Sequence, residues 1–255
     1  MSTQFCQLQG QRIEYRFVQF AEQSAGDIVM LHEGLGSAAM WKDFPEQLAA
    51  ATACRVLVYS RQGYGASTPL RGPRTVDYMH QEARQALPAL LAQLDVQRPV
   101  LFGHSDGGSI ALIHAAEPGA SLRGVIALAP HVFVEDLTVT SIAATKVDFA
   151  GSRLRTALGR YHLDPDSTFW GWNNIWLDPE FRSWNIEALL GGIRCPVLAI
   201  QGLQDEYGTL EQLSRLQRQL PNTQLVELDG CGHSPHRDQP QAVLDAASQF
   251  ILRHG

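Results

Sequence analysis

Three side chains in this sequence have the types and the chain order needed to activate a serine. Ser105 is the centre of a Gly-x-Ser-x-Gly pentapeptide in PVLFGHSDGGSIALIHAA, between an apolar run and the start of a helical pattern. In that context the serine sits on a sharp strand-to-helix turn that exposes its hydroxyl group. Chance alone can produce the pentapeptide, but the strand-turn-helix context favours a nucleophile over an ordinary turn serine.

A serine hydroxyl needs a general base, and a histidine base needs a carboxylate that sets its tautomer. His233, in LDGCGHSPHRDQP, follows the last predicted strand and is the preferred base, with His236 as its competitor. Asp205, in LAIQGLQDEYGT, follows the preceding strand and is the preferred acid, with the adjacent Glu206 as an alternative. The predicted chemistry is attack of Ser105 on a carbonyl carbon.

Other interpretations of neighbouring residues remain open. Glu135 or Asp136, after an earlier strand, is a weaker candidate for the acid. His233 and His236 are a weak metal candidate, because no carboxylate or cysteine ligand spacing accompanies them. We expect neither a metal nor a cofactor. Cys231, two residues before His233, is expected to serve packing.

Acyl transfer also needs two donors for the oxyanion that forms on the attacked carbonyl. One donor is expected to be the backbone N–H of Asp106, the residue after the nucleophile. The other is expected from the loop LHEGLGSAAMW, which follows an early strand. Its glycines allow backbone N–H groups to approach the substrate closely.

Short apolar strands that alternate with helical patterns must position these residues. The predicted strands are RIEYRFVQF, DIVMLHE, CRVLVYS, PVLFG, GVIALAP, PVLAIQG and TQLVELDG. The inner runs are continuously apolar, which is typical of strands buried on both faces of a parallel sheet. The pattern predicts an α/β fold with a doubly wound, mostly parallel sheet.

One region lacks a clear strand and is rich in aromatic residues. We predict that residues 1–131 and 193–255 form the α/β core and that residues 132–192 form a helical cap over the sheet's carboxyl edge, where ligands bind in such folds. Trp172 and Trp176 of this region are candidate pocket residues, together with His131 and Leu35. The other aromatic side chains of the region are expected to pack on one another.

Composition narrows the class of protein. The chain has 255 residues, a formal net charge of −6 and 45% hydrophobic residues, which is ordinary for a globular protein and unlike a basic nucleic-acid-binding protein. The N-terminus lacks a signal-like apolar core, and no stretch reaches the roughly 18 apolar residues of a membrane span. We therefore expect a cytoplasmic monomer or homodimer that acts on a small-molecule substrate, without a nucleic-acid or membrane partner.

Five segments together resemble the α/β-hydrolase superfamily over essentially the whole chain. They are LHEGLGS with the following Trp41, YSRQGYGAS, GHSDGGSIAL, QGLQDEYG and GCGHSPH. The chain looks most like serine-nucleophile members with a helical cap, similar to the valacyclovir-hydrolase-like and meta-cleavage C–C hydrolase groups. The resemblance implies the α/β-hydrolase fold, with Ser105 as nucleophile, Asp205 as acid and His233 as base.

The early loop departs from the family pattern. His32 is followed by Glu33, where the family usually has glycine, so that by length Gly34 falls on the oxyanion position. Leu35 is the alternative donor if the match is made on the glycines of the loop. The extra carboxylate of Glu33 is expected either to support the site or to contact substrate, and Arg61 is expected to brace the loop.

The preferred function is hydrolysis of a small, fairly apolar carboxylic ester or lactone through an acyl-enzyme. Ser105 stands where haloalkane dehalogenases and epoxide hydrolases of the superfamily carry aspartate, which favours ester chemistry. The first alternative is a C–C bond hydrolase of the aromatic-degradation type, which needs a cationic subsite for a carboxylate. The cap offers four arginines for that purpose, Arg153, Arg155, Arg160 and Arg182. The second alternative is a ligand receptor on a hydrolase scaffold.

Overall fold

Strands of a single mixed sheet form the centre of the molecule in the computed structural model of the chain, which describes residues 3–254. Along the chain, the strands of the described part are β1 (Gln4–Leu8), β2 (Gln11–Val18), β3 (Asp27–Leu31), β4 (Arg55–Tyr59), β5 (Val100–His104), β6 (Gly124–Leu128), β7 (Val197–Gly202) and β8 (Gln224–Leu228). Their order in the sheet is β1-β2-β4-β3-β5-β6-β7-β8. Strands β1 and β2 are antiparallel to their neighbours, and every other pairing is parallel. This arrangement confirms the predicted fold class.

Helices cover both faces of the sheet. In the described residues they are α1 (Phe44–Thr52), α2 (Tyr78–Gln81), α3 (Leu87–Gln93), α4 (Asp106–Ala116), α5 (Asp136–Ala150), α6 (Arg153–Leu158), α7 (Pro165–Trp176), α8 (Glu187–Leu190), α9 (Glu211–Gln219), α10 (Pro235–Asp238) and α11 (Pro240–His254). Within these residues, none of the helices combines the length and apolar character needed to cross a bilayer.

The continuous apolar runs follow from burial on both faces. Ile28 and Met30 of β3 pack against the layer that contains α1 and α11, whereas Val29 and Leu31 pack on the opposite side with α4. Successive side chains of a strand point to opposite faces, so a strand covered on both sides needs apolar residues at every position. The same alternation of faces occurs in β5, β6 and β7.

Strand β1 is absent from the predicted strands. It pairs with β2 through a tight turn at Gln9 and Gly10, whose φ angles are 50° and 78°. Such a turn matches the twist of a hairpin and needs positive φ. Most β1 side chains are exposed because it is an edge strand, so the run lacks the apolar signal on which the prediction depended.

The predicted helix TVDYMHQEARQALPALLAQL is interrupted by a wider turn. Residues Glu82–Ala86, between α2 and α3, form a π-helical turn. Pro88 has no N–H to donate to the carbonyl group of Arg84 four residues earlier, so a regular α-helix cannot continue through this point. The helical hydrogen-bond pattern therefore changes at this point.

The residues between β6 and β7 fold into α5 to α8. Helix α7 begins where the Asp164 carboxylate accepts a hydrogen bond from the Ser167 N–H at 2.9 Å. Phe149 of α5 stacks on Phe169 of α7 with ring centroids 3.9 Å apart. This stacking leaves other aromatic residues of α7 free to face the carboxyl edge of the sheet.

Candidate active site

Ser105 lies on a strained turn between β5 and α4. Its backbone has φ 52° and ψ −119°, a region that side chains with a Cβ rarely adopt. A Cβ at Gly103 would lie 2.2 Å from the Gly107 carbonyl oxygen, and one at Gly107 would lie 2.1 Å from the Leu31 carbonyl oxygen. Only glycine fits at either position, because strand and helix are in direct backbone contact on both sides of the serine.

A chain of hydrogen bonds joins Ser105, His233 and Asp205. His233 Nε2 lies 2.9 Å from Ser105 Oγ, and His233 Nδ1 lies 2.8 Å and 3.0 Å from the two carboxylate oxygens of Asp205. A carboxylate can only accept, so Nδ1 carries the proton and Nε2 is left to accept the proton of the serine. The structure thus brings together the three residues proposed from sequence.

The Asp205 carboxylate is buried and held by the backbone. Its Oδ1 accepts the N–H groups of Tyr207 at 2.8 Å and Gly208 at 3.2 Å. Burial by itself raises the pKa of Asp205, but the hydrogen bond and charge of His233, together with the Tyr207 N–H, outweigh burial and lower it below its ordinary value. The carboxylate is therefore ionised at neutral pH and orients the imidazole.

The other candidate acids do not hydrogen-bond to the ring of His233. Glu206 accepts a hydrogen bond from the backbone N–H of His233 at 3.1 Å and does not bond to the ring. Glu135 accepts hydrogen bonds from Thr209, and Asp136 forms an exposed ion pair with an arginine. Asp205 is thus the carboxylate that hydrogen-bonds to the imidazole.

The competing histidine, His236, points into the protein interior. Its ring lies 4.6 Å from the ring of Trp41 and 5.9 Å from that of Phe44, and it is 4% exposed. Burial lowers the pKa of His236 well below its ordinary value, so the ring packs as a neutral aromatic group. This position does not suit a metal ligand or a base for Ser105.

The loop after β3 presents one peptide group in a fixed orientation. The carbonyl oxygen of Glu33 accepts hydrogen bonds from the Gly36 N–H at 3.1 Å, from His32 Nδ1 at 2.7 Å and from Arg61 Nη2 at 3.0 Å. In a trans peptide the next N–H points away from the carbonyl oxygen, so the N–H of Gly34 is directed opposite these three donors. Neither that N–H nor the N–H of Asp106 has a partner among the described residues.

His32 and Arg61 act together in this arrangement. His32 Nε2 accepts the backbone N–H of Arg61 at 3.1 Å, which leaves the proton on Nδ1 for the bond to the Glu33 carbonyl group. Burial, followed by the charge of Arg61, lowers the pKa of His32 well below its ordinary value. Arg61, which we expected to brace the loop, thus hydrogen-bonds to the peptide group between Glu33 and Gly34.

The Glu33 carboxylate links the loop after β3 to the end of β5 and to α10. Its Oε1 accepts from Arg237 Nη2 at 3.0 Å, and its Oε2 lies 3.5 Å from His104 Nδ1. Burial by itself raises the pKa of Glu33, but His104 and Arg237 outweigh burial and hold it well below its ordinary value. His104 Nε2 in turn donates to the His233 carbonyl oxygen at 2.6 Å. Sequence reasoning missed His104 and Arg237, because only the fold brings them to Glu33.

A cavity of about 120 Å³ opens onto the serine. Its lining includes every pocket residue proposed from sequence, Leu35, His131, Trp172 and Trp176, as well as Gly34, Ser105, Asp106 and His233. Ile142 and Tyr207, which sequence reasoning missed, complete its apolar walls. A larger groove of about 530 Å³ lies at the opposite edge of the sheet, near Cys195, and contains none of the proposed site residues.

Asp106 fixes one wall of the cavity through its side chain. Its Oδ2 accepts from the Tyr78 hydroxyl group at 2.6 Å, and its Oδ1 accepts from Trp176 Nε1 at 3.2 Å. On the opposite side, a Cβ on Gly34 would lie 2.2 Å from Trp172 Nε1, so this tryptophan packs directly on the loop after β3. Two indoles of α7 are thus held against the proposed nucleophile and oxyanion loops.

Sequence comparisons find relatives that are hydrolases. The chain is 26% identical over 260 residues to an sn-1-specific diacylglycerol lipase of Mus musculus, covering 88% of this chain and 80% of that protein. It is 23% identical over 255 residues to the 2-hydroxy-6-oxononadienedioate/2-hydroxy-6-oxononatrienedioate hydrolase of Comamonas testosteroni, covering 88% and 87% of the two chains.

Solved structures share the fold. The enol-lactonase from Burkholderia xenovorans LB400 superposes with a TM-score of 0.78 at 19% identity, over 98% of this chain and 100% of the lactonase. A bacterial membrane phospholipase A superposes with a TM-score of 0.82 at 18% identity, over 99% and 86% of the two chains. The model of the alpha/beta hydrolase family matches residues 28–246. The chain therefore belongs to the alpha/beta hydrolase family and is a hydrolase.

Proposed function

We propose that this hydrolase cleaves a small carboxylic ester or lactone through an acyl-enzyme on Ser105. The observation that carries the proposal is the continuous hydrogen-bond chain from Ser105 Oγ to His233 and Asp205, with distances of 2.9 Å and 2.8 Å, on a strained turn. A serine hydroxyl gains nucleophilicity only when a base of this kind is in hydrogen-bond contact with it. The three residues then have defined roles in the cycle.

The reaction proceeds in two halves. His233 Nε2 takes the proton of Ser105 as Oγ attacks the carbonyl carbon, and the nearby Asp205 carboxylate stabilises the imidazolium that forms. The same imidazolium gives its proton to the leaving alcohol oxygen, and the acyl group remains on the serine. A water molecule, deprotonated by His233, then attacks the acyl-enzyme and releases the acid.

The N–H groups of Gly34 and Asp106 are the proposed donors to the oxyanion. The three hydrogen bonds on the Glu33 carbonyl group favour Gly34 over Leu35, because they fix the peptide whose N–H belongs to Gly34. The Asp106 N–H lies at the start of α4, where the positive end of the helix dipole also favours an anion. Fixed donors need no reorganisation as the charge develops, which is why such groups accelerate acyl transfer.

The size of the cavity supports a small acyl group. A cavity of about 150 Å³ lined by apolar side chains holds a benzene molecule, and this one measures about 120 Å³. We infer that residues 132–192 act as a cap that closes the pocket, with Trp172 and Trp176 as its apolar wall. An acyl chain of about four carbons would fill the space.

The cap arginines do not favour the C–C hydrolase alternative. Arg153, Arg155, Arg160 and Arg182 are all exposed, and two of them form surface ion pairs, Arg155 with Asp166 and Arg182 with Asp136. Among the described residues, the cavity lining includes no arginine or lysine but includes the acidic residue Glu33. A dienoate with its own carboxylate would lack a cationic partner there, whereas a neutral ester or lactone needs none.

The direct test is hydrolysis of p-nitrophenyl esters from acetate to octanoate. With substrate in excess, the wild type should release a pre-steady-state burst of nitrophenol that reports the acyl-enzyme, and it should prefer short chains. Ser105→Ala should lower kcat by at least about 10⁴-fold, the size of loss typical of removing a nucleophile that acts with its base. Ser214→Ala, at an exposed serine of α9, is the matched control and should keep wild-type rates. A folded wild type that hydrolyses none of these esters would contradict the proposal and favour the C–C hydrolase or the receptor.

A further inference from the structure

The side chain of His131 is a polar group of the cavity that its surroundings leave without a partner. The residue follows β6, lines the cavity and is 2% exposed. Its Nδ1 is buried, and neither ring nitrogen forms a hydrogen bond with any residue in the range 3–254. An unpaired buried polar atom is unfavourable, and in a binding pocket it indicates a partner supplied by the ligand.

The ring is held in place even though its nitrogens are not engaged. The Ser109 hydroxyl group donates to the His131 carbonyl oxygen at 2.7 Å and accepts the His131 N–H at 3.1 Å. The imidazole packs between Trp176, at 5.0 Å between ring centroids, and His233, at 5.8 Å. Ser109 belongs to α4, the helix that starts at the nucleophile, so the imidazole has a fixed position relative to Ser105.

The ring is also neutral. Burial, followed by the charge of His233, lowers the pKa of His131 to about 3. A neutral imidazole has one nitrogen that donates and one that accepts. It suits a hydroxyl group, which does both, better than it suits a charged group.

The two acidic side chains of the cavity lining, Asp106 and Glu33, already have partners. The Asp106 carboxylate accepts from Tyr78 and Trp176, and the Glu33 carboxylate accepts from Arg237. The Nδ1 of His104 lacks a hydrogen bond but faces the Glu33 carboxylate at 3.5 Å. His131, by contrast, faces the space that substrate would fill.

We propose that His131 determines specificity by binding a hydroxyl group on the acyl part of the substrate, which makes this enzyme a hydrolase of short hydroxy-acid esters or lactones. The inference rests on the proposed ester hydrolysis at Ser105. In a cavity of about 120 Å³, any acyl atom is only a few bonds from the carbonyl carbon that Ser105 attacks. A hydroxyl group on the second or third carbon of a butyryl chain is therefore the expected ligand. A purely apolar chain would leave the imidazole unpaired and would be the poorer substrate.

The experiment compares the p-nitrophenyl esters of butyrate, 2-hydroxybutyrate and 3-hydroxybutyrate, each corrected for spontaneous hydrolysis. The readout is the ratio of kcat/KM for a hydroxy ester to kcat/KM for butyrate. The wild type should prefer at least one hydroxy ester by about ten- to a hundredfold, and His131→Phe, which keeps a ring but removes both nitrogens, should abolish that preference. His131→Gln, whose amide can donate and accept, should restore part of it.

His114→Phe is the matched control, because it removes a buried imidazole of α4 that bonds to the Ala83 carbonyl group and lies outside the cavity. It should keep the wild-type ratio. Product inhibition tests the same contact in the wild type without any variant. The free hydroxybutyrate whose ester is preferred should inhibit more strongly than butyrate, by a factor similar to the preference in kcat/KM. If the wild type and His131→Phe hydrolyse the esters with the same ratio of kcat/KM, the inference about His131 would be overturned, whereas the proposed ester hydrolysis would stand. Absence of hydrolysis of all three esters would overturn the proposed function, and this inference with it.

Discussion

Single residues set the orientation of one peptide group beside the nucleophile. Arg61 is 2% exposed and donates from its side chain to the Glu33 carbonyl oxygen, while its own N–H holds His32 in the matching tautomer. Arg61→Lys keeps a positive charge but loses the planar group that reaches the carbonyl oxygen. We expect kcat for p-nitrophenyl butyrate to fall about 10²-fold with little change in KM. A misdirected Gly34 N–H would no longer donate to the oxyanion, and that hydrogen bond forms only in the transition state.

The control for this prediction is Arg55→Lys, which makes the same substitution at an arginine far from the site, where it weakens the ion pair with Asp27 at the amino end of the parallel strands. Both variants should lose some stability, but only the Arg61 variant should lose kcat. A rise in KM at constant kcat in the Arg61 variant would show that the arginine serves ground-state binding and not the oxyanion.

At the scale of elements, one histidine ties the segment between α6 and α7 to two loops of the core. His162 Nδ1 accepts the Gly65 N–H at 2.9 Å, so Nε2 carries the proton and lies 3.1 Å from the Leu35 carbonyl oxygen. His162→Phe fills the space but removes both hydrogen bonds. We expect the free energy of unfolding, measured in urea, to fall by about 2 kcal/mol, since one buried backbone N–H loses its partner. Amide exchange at Gly65 should also become faster.

The exchange measurement separates this tie from general loss of stability. His80→Phe, at a half-buried histidine on α2, should leave exchange at Gly65 unchanged. Unchanged exchange in the His162 variant would contradict the tie, whatever the change in stability.

For the whole molecule, buried neutral histidines dominate the response to acid. Burial lowers the pKa of the buried His32, His114, His131, His162 and His236, and of the half-buried His80, below the ordinary value of 6.5. Below pH 6.5 these histidines bind protons in the unfolded chain but not in the folded chain. Their contribution to the free energy of unfolding is therefore largest above that pH and is lost as the pH decreases. Each such proton contributes about 1.4 kcal/mol per pH unit.

Urea unfolding from pH 8 to pH 5 measures this dependence. The free energy of unfolding should be nearly constant above pH 7 and decline steeply below pH 6.5. His114→Phe, which removes one of these groups, should reduce the slope by at most about 1.4 kcal/mol per pH unit, the limit for one proton. A flat profile down to pH 5 would contradict the prediction. Below pH 5, the lowered pKa values of Asp205 and Glu33 act in the same direction, because these carboxylates also bind protons more readily when unfolded.

Much of the fold and the outline of the site could be predicted, because local sequence patterns and chain order carry them. Continuous apolar runs require strands covered on both faces, and parallel strands end at one common edge. Ser105, Asp205 and His233 each follow a different strand, so their meeting at that edge follows from the topology. Their catalytic roles stay predictions, which the ester series tests.

The rest depends on contacts between segments distant in the chain. Edge strand β1 has no apolar pattern, and the choice of Gly34 over Leu35 depends on Arg61, which is far from the loop in sequence. The partners of Glu33 are the last residue of β5, His104, and Arg237 of α10. Thus the sequence by itself determined the strand-helix order and the residue types with reactive groups. Only the tertiary structure decided which peptide group of the loop after β3 is held by three hydrogen bonds and that the His131 imidazole has no partner in the described residues, because hydrogen-bond partners are chosen by distance in space and not along the chain.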